Sequence, residues 1–139
     1  MASFVTNAGA DGLTSGGGIT YSSDTIKARL VASSATVNKD DTSMTPYTLI
    51  GTDQTLGSKT KTKNTTDDRI DFSSAAITWT AVAGGSTVGY VCIFKFVTND
   101  AGSTPIAVID VADTATNGSD LTYTPPTTGS AAALFSLAQ

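Results

Sequence analysis

Two apolar runs that lie close together in the chain constrain its fold more than any other feature. Residues 88–97 and residues 105–111 are the most apolar stretches of the sequence, and both are rich in β-branched and aromatic side chains. The segment that joins them, residues 98–104, consists of turn-forming residues. This pattern predicts a long antiparallel β-hairpin.

The first strand of this predicted hairpin is apolar on both sides. Successive side chains of a strand point to opposite faces, so the even positions from 90 to 96 share one face and the odd positions from 91 to 97 share the other. Both faces should therefore be covered, which places the hairpin in the centre of the domain. Lys95 is the exception, and it should either reach towards the strand end or mark a half-exposed face. The core residues that we predict are Trp79, Tyr90, Phe94, Phe96, Ile106 and Val108.

Shorter strands are predicted on both sides of the hairpin. Residues 25–31 alternate apolar and polar side chains, which predicts a half-buried strand that turns Lys27 and Arg29 towards solvent or a partner. Residues 59–66 predict an edge strand, because their lysines would oppose edge-to-edge pairing. Further strands are predicted at residues 47–50, 69–72, 77–80, 121–124 and 132–137, with a loop at residues 51–58 and a polar segment at residues 38–43 that could cap a short helical turn.

These elements together predict the fold class. They amount to about eight strands joined by short turns, with no convincing helix. We therefore predict an all-β fold, in which residues 24–139 form a single antiparallel β-sandwich or jelly-roll-like domain.

The first 23 residues are predicted to be a flexible N-terminal arm outside this domain. Their glycine-rich stretches have no periodicity and offer too little apolar surface to offset the entropy lost on ordering. We expect residues 1–23 either to be disordered or to order only against a neighbouring subunit. The apolar side chains that would then attach the arm are Phe4, Val5, Leu13 and Ile19.

The composition of the chain argues against nucleic acid and membranes as partners. The net charge is -4, only 14% of residues are charged and no basic patch is present, so we expect no binding of nucleic acid. No apolar stretch is long enough to span a membrane, and no signal-peptide pattern is visible. The 25 threonines and 15 serines suit strands with neutral polar faces, a composition typical of extracellular and virion β-proteins.

Residues that usually carry catalysis or bind metals are scarce. The chain has no histidine, the residue best suited to proton transfer near neutral pH. Its single cysteine, Cys92, lies in mid-strand and is interpreted as a buried, inert thiol. Three acidic clusters, Asp40-Asp41, Asp67-Asp68 and Asp110 with Asp113, lack the spacing of a calcium-binding loop, and we favour a tight turn at Asp67-Asp68. We therefore expect no enzyme activity, no catalytic residue, no metal ion and no cofactor.

A block of motifs in the second half of the chain resembles a known group of proteins. The motifs are DDRIDF at residues 67–72, ITWTA at residues 77–81, GYVCIFK at residues 89–95 and PIAVID at residues 105–110. Their order, after a leading strand at residues 26–31, is similar to that of a widespread group of small virion proteins from tailed bacteriophages. The resemblance extends from residue 26 to the C-terminus and implies a structural component of the virion. The glycine-rich N-terminus is not part of the pattern.

Two roles are compatible with this resemblance. The first is capsid decoration, in which a cement protein on the capsid surface contacts the major capsid protein, neighbouring copies of itself or both, and stabilises the assembled head as a homo-oligomer. The second is a neck, tail or fibre component that serves as an attachment or host-recognition module. A glycan-binding surface needs exposed aromatic side chains, and the candidates outside the predicted core are Tyr21, Tyr47 and Tyr123, each of which could equally be a packing residue.

Overall fold

Ten strands and one short helix make up the part of the chain that the computed structural model describes, residues 2–14, 16–126 and 133–138. The fold is therefore all-β, as the sequence predicts, apart from a helix that the sequence analysis did not anticipate. In chain order the elements are β1 Phe4–Val5, α1 Asn7–Leu13, β2 Ile26–Ala32, β3 Ile50–Thr55, β4 Thr60–Asn64, β5 Arg69–Ser73, β6 Ile77–Trp79, β7 Thr87–Val97, β8 Asn99–Ala115, β9 Leu121–Tyr123 and β10 Phe135–Ala138.

These strands pair into three antiparallel sheets. The largest has the order β1-β8-β7-β2-β3, the second has the order β10-β5-β4, and the third pairs β6 with β9. The predicted hairpin is β7 with β8, and it lies in the middle of the largest sheet. The hairpin is longer than predicted, because β8 already begins at Asn99 and the segment before Thr104 bulges out of the ladder.

Both faces of the largest sheet are covered, which explains why β7 is apolar on both sides. Val91 and Ile93 point into one core cluster, whereas Cys92 and Phe94 point into another. The two smaller sheets cover the first face, where the Phe72 ring of β5 stacks on the Phe135 ring of β10 with centroids 4.8 Å apart. The second face is covered by side chains from the loop between β2 and β3, namely Val37, Met44 and Tyr47.

Five of the six predicted core residues are buried in these clusters. Phe94 and Ile106 have no exposed surface, and Trp79, Tyr90 and Val108 are at most 8% exposed. Phe96 differs from the prediction, since it is half-buried at the margin of the second cluster. The ammonium of Lys27 lies 3.7 Å from the centre of the Phe96 ring, so this ring packs against the core on one side and is covered by a lysine on another.

The N-terminal segment corrects the prediction of a flexible arm. Phe4 and Val5 extend the largest sheet by pairing with Val108 and Ala107 of β8. Thr6 has no exposed surface: its hydroxyl donates to the Pro105 carbonyl at 2.6 Å and accepts from the Gly9 amide at 2.9 Å, which caps α1. The segment therefore orders against its own domain, and residues 2–14 and 16–23 belong to the fold.

Glycine in this segment serves close packing rather than flexibility. A Cβ atom on Gly9 would lie 2.5 Å from the Ile106 Cα and 2.6 Å from the Ile106 carbonyl oxygen. The absence of a side chain therefore lets α1 lie directly on the backbone of β8. The four predicted attachment residues are half-buried within the chain itself, with Phe4 against the second cluster and Val5, Leu13 and Ile19 against the first.

Several predicted element bounds also require correction. The predicted loop at residues 51–58 contains most of β3, a polar strand that pairs with β2 and that hydrophobic alternation does not reveal. The predicted strand at residues 47–50 contributes only Ile50, because Tyr47 lies in a turn with its ring in the second cluster. The polar segment at residues 38–43 forms a turn and contains no helix. The edge strand of residues 59–66 and the turn at Asp67-Asp68 are found as predicted. The last predicted strand is β10, while Ala132 lies outside the described residues.

Candidate interaction surface

Several acidic side chains of the predicted clusters are occupied in local contacts. The Asp40 carboxylate accepts a hydrogen bond from the side-chain amide of Asn7, and the Asp41 carboxylate accepts one from the Tyr47 hydroxyl at 2.7 Å. Asp67 lies 3.5 Å from the guanidinium of Arg69. Among residues 2–14, 16–126 and 133–138, no group of three or more His, Cys, Asp or Glu side chains could hold a metal ion.

The single thiol is enclosed in the second core cluster. Cys92 has no exposed surface, and its sulfur lies 3.8 Å from the Met44 sulfur. Burial raises the pKa of this thiol well above its usual value, so the group is neutral near pH 7. The predicted burial of Cys92 is confirmed.

Arg29 is a buried cation, although the alternation of residues 25–31 predicts that it faces solvent or a partner. Arg29 is only 3% exposed, and its guanidinium forms paired hydrogen bonds with both Asp53 and Asp100. These carboxylates raise its pKa further above the usual range, so Arg29 is always charged. The prediction that Arg29 faces solvent or a partner is therefore wrong, because its charge is neutralised within the chain.

Two of the four outer strands of the larger sheets carry features that oppose pairing with another chain. On β4, Lys61 and Lys63 are both exposed, as the sequence predicts for an edge strand. On β3, the backbone of Gly51 has a φ of 72°, and the ladder with β2 shifts its register between Ala28 and Leu30. Such charges and bulges prevent edge-to-edge association.

The other two outer strands, β1 and β10, have neither feature. Their sequences, Phe-Val and Phe-Ser-Leu-Ala, contain no charged residue. In the described part of the chain, β1 pairs only with β8, and β10 pairs only with β5. The Ser136 hydroxyl connects β10 to β5, since it donates a hydrogen bond to the Asp71 carboxylate at 2.6 Å. This hydrogen bond is also the main cause that lowers the pKa of the Asp71 carboxyl.

A groove of about 460 Å³ lies between these two unguarded edges. Its walls are residues 3–5 on one side, residues 134–138 on the other and residues 107–109 of β8 between them. Most of the lining side chains are apolar, and Ala138 is exposed at one end. The groove is therefore a concave surface lined mainly by apolar side chains, and the two outer strands that border it carry no charged residue.

Lys39 is the one charged residue among the described residues that line this groove. Its backbone carbonyl accepts a hydrogen bond from the backbone N–H of Asn7 at 2.8 Å, which fixes the loop beside α1. Its side chain is exposed, and within the described residues its ammonium has no ion pair and no hydrogen bond. An unpaired cation therefore lies at the margin of an apolar groove.

The predicted attachment residues divide between two places. Phe4 and Val5 line the groove, whereas Leu13 and Ile19 line a separate cavity of about 200 Å³ beside Tyr21.

The three candidate tyrosines for a glycan-binding surface differ in their exposure. Tyr21 and Tyr47 are at most 3% exposed, so they cannot form such a surface. Tyr123 is half-buried beside a cavity of about 190 Å³, and burial raises the pKa of its hydroxyl.

No helix among the described residues is long and apolar enough to span a membrane. Comparison with models of protein families, with curated proteins and with solved structures found no match to this chain. The resemblance to bacteriophage virion proteins and the role that it implies thus remain predictions.

The groove is not evident from the sequence, although one signal of it is present there. The predicted strand at residues 132–137 contains no charged residue, which distinguishes β10 from the lysine-bearing β4. Lys39 could not have been identified, because nothing local relates it to residues that are about a hundred positions later in the chain.

Proposed function

We propose that this protein is a structural protein of a tailed-bacteriophage virion, where it acts as a capsid decoration protein that binds the assembled head. The resemblance of residues 26–139 to small virion proteins supports the class of protein. The observation that carries the binding role is the groove between β1 and β10, an apolar surface with uncharged edges on a domain whose other large-sheet edges, β3 and β4, are protected.

Stabilisation by such a protein follows from mass action. A protein that binds the assembled head but not its separate subunits lowers the free energy of the assembled state, and many bound copies add their effects. Because the N-terminal segment is already docked on β8, binding through this side of the domain requires little additional ordering. The partners would be the major capsid protein, neighbouring copies of this chain, or both.

The copy number of the chain in purified virions tests this proposal. A decoration protein should be present in hundreds of copies per particle, and a neck, tail or fibre component in only a handful. Quantitative mass spectrometry against the major capsid protein gives this ratio directly. A low ratio would indicate that the protein is a component of the neck, tail or fibre.

A reconstitution experiment tests the stabilising role. Heads stripped of the protein should release their DNA at a lower temperature than intact heads, and adding back the purified full chain should restore the original temperature. Bovine serum albumin at the same concentration is a suitable control for non-specific protection. Heads that are equally stable with and without the chain would contradict a cement role.

A further inference from the structure

We propose that the cavity beside Tyr21 is a binding site for a sugar acid, that is, for one six-membered sugar ring that bears a carboxylate. This activity is separate from the decoration role proposed above and does not depend on it. The described residues that line the cavity are Leu13, residues 19–22, Lys61 and Phe72.

The fold itself fixes the walls of this cavity. The loop after α1 is held by a backbone hydrogen bond from the Ile19 N–H to the Gly12 carbonyl at 2.9 Å. The ring of Tyr21 packs edge-on against the ring of Phe72, with centroids 5.2 Å apart, and the Tyr21 hydroxyl donates to the Ser73 carbonyl at 3.1 Å. Binding of a ligand between these walls therefore requires little additional ordering.

Lys61 supplies an unpaired positive charge at the cavity. Its side chain is exposed, and its ammonium lies 6.0 Å from the centre of the Phe72 ring, which forms part of the wall. Within the described residues this ammonium has no ion pair and no hydrogen bond. One free ammonium matches the single charge of a carboxylate, whereas a phosphate group carries a charge of about −1.5 to −2 at neutral pH.

The acidic residue of the neighbouring loop does not cancel this charge. The Asp24 carboxylate accepts a hydrogen bond from the Thr20 N–H at 2.7 Å and lies 3.1 Å from the ammonium of Lys95. The ammonium of Lys59 donates to the backbone carbonyl of Asp24 at 2.6 Å. Lys59, Lys61 and Lys95 thus outnumber this carboxylate, so the local charge favours an anion although the whole chain is acidic.

The size and polarity of the cavity favour a sugar over an apolar acid. An apolar cavity of about 150 Å³ holds a benzene-sized group, so a cavity of about 200 Å³ has room for one six-membered ring with its substituents. Thr20 and Ser22 belong to the lining, and their hydroxyls have no hydrogen-bond partner within the described residues. Sugar hydroxyls can pair with these groups, while Leu13 and Ile19 offer contacts to the C–H groups of the ring.

Titration of the isotope-labelled full chain with methyl glucuronide, followed by NMR, tests the site. We expect the amide signals of residues 19–22 and of Lys61 to shift and to reach saturation. Methyl glucoside lacks the carboxylate and benzoate lacks the hydroxyls, so each should bind about fivefold more weakly or worse. The absence of shifts at these residues, or equal affinity for either control ligand, would overturn the proposal.

Two pairs of variants locate the binding site. Lys61→Gln removes the unpaired charge, and Lys63→Gln is its control at an exposed position of β4 that does not line the cavity. Ser22→Leu replaces a polar lining residue by a larger apolar one, and Ser23→Leu is its control at the next position. We expect Lys61→Gln to weaken binding of methyl glucuronide about fivefold without changing that of methyl glucoside. Ser22→Leu should weaken binding of both sugars, and the two controls should bind like the unmodified chain.

The melting temperature of each variant separates a binding defect from a folding defect. All four positions are exposed, so all four variants should melt like the unmodified chain. If Ser22→Leu lowers the melting temperature, the comparison of Lys61→Gln with Lys63→Gln decides the test. Equal binding of methyl glucuronide by these two lysine variants would overturn the site.

Discussion

The guanidinium of Arg29 and the carboxylate of Asp100 form two hydrogen bonds, of 2.8 and 3.0 Å, that connect the middle of β2 to the beginning of β8. The same guanidinium forms two further hydrogen bonds of 2.8 Å with Asp53 of β3 and donates to the Tyr47 carbonyl. Its carbon centre lies 5.3 Å from the centre of the Phe94 ring. One buried cation thus connects β3 and the beginning of β8 with the loop that covers the second face of the largest sheet.

Replacement of Arg29 by alanine should destabilise the domain strongly. Removal of one partner of a buried ion pair costs about 3–5 kcal/mol, because the remaining charges lose their compensation. We expect about 3 kcal/mol here, since Asp100 is 46% exposed and can recover part of its hydration. Urea unfolding measures this loss as a lower transition midpoint.

Lys27→Ala is the matched control for this variant. Lys27 lies on the same face of β2, where its ammonium lies over the half-buried ring of Phe96. Such a cation–π contact at a partly exposed site is worth about 1 kcal/mol. Equal midpoints for the two variants would mean that Arg29 does not hold the fold together.

Below neutral pH, the stability of the domain should change only in the acidic range. Hydrogen bonds from Arg29 hold the pKa of Asp100 below its usual value, and the Ser136 hydroxyl is the main cause of the same effect on Asp71. A carboxyl group whose pKa is lower in the folded chain stabilises the fold above its unfolded pKa, about 3.9, and this contribution is lost as pH falls through the folded pKa. Because the chain has no histidine, the free energy of unfolding should be nearly constant between about pH 5 and pH 7.

Urea titrations at a series of pH values check this expectation. The midpoint should begin to fall below about pH 4. Asp100→Asn should show a smaller acid-dependent loss than the unmodified chain, because one of the responsible carboxyl groups is absent. A midpoint that rises on acidification would show that these carboxylates do not stabilise the folded state.

The parts of the fold that the sequence revealed are those encoded by local periodicity. The β7–β8 hairpin was predictable because its apolar residues and turn are contiguous, and the lysines of β4 indicated an edge strand directly. β3 was missed because its polar residues do not alternate, and its place in the sheet depends on pairing with β2 and on the contact between Asp53 and Arg29.

Long-range contacts account for the remaining errors. Arg29 alternates like a surface residue, and its burial depends on carboxylates 24 and 71 positions later in the chain. The glycines of residues 8–18 have the composition of a flexible arm, yet Gly9 is required for close contact with Ile106. The candidate groove likewise joins residues from both ends of the chain, which no local pattern relates.

Two phenylalanines of β7 should respond very differently to replacement by alanine. Phe94 has no exposed surface, so Phe94→Ala should cost about 3–5 kcal/mol through lost burial and the cavity left behind. Phe96 is half-buried beside Lys27, and Phe96→Ala should cost about 1–2 kcal/mol. Thermal melting of both variants measures the difference, and a Phe94→Ala variant that melts like the unmodified chain would mean that β7 is not at the centre of the core.

The docking of the N-terminal segment on β8 leads to the final prediction, for Gly9→Ala. A methyl group at this position would lie 2.5 Å from the Ile106 Cα, so α1 must move away from β8, and overpacking of this kind costs about 1–3 kcal/mol. If residues 1–23 were instead a free arm without contact to β8, the same change would leave the stability of the domain within about 0.5 kcal/mol of the unmodified chain. Gly57→Ala is the control, since no atom lies within 4 Å of the added methyl group and the change should stay within about 0.5 kcal/mol. Melting combined with limited proteolysis distinguishes the two cases: a destabilised Gly9→Ala variant that is cleaved faster near residues 2–14 establishes that this segment is part of the domain, and a variant as stable and resistant as Gly57→Ala would restore the flexible arm.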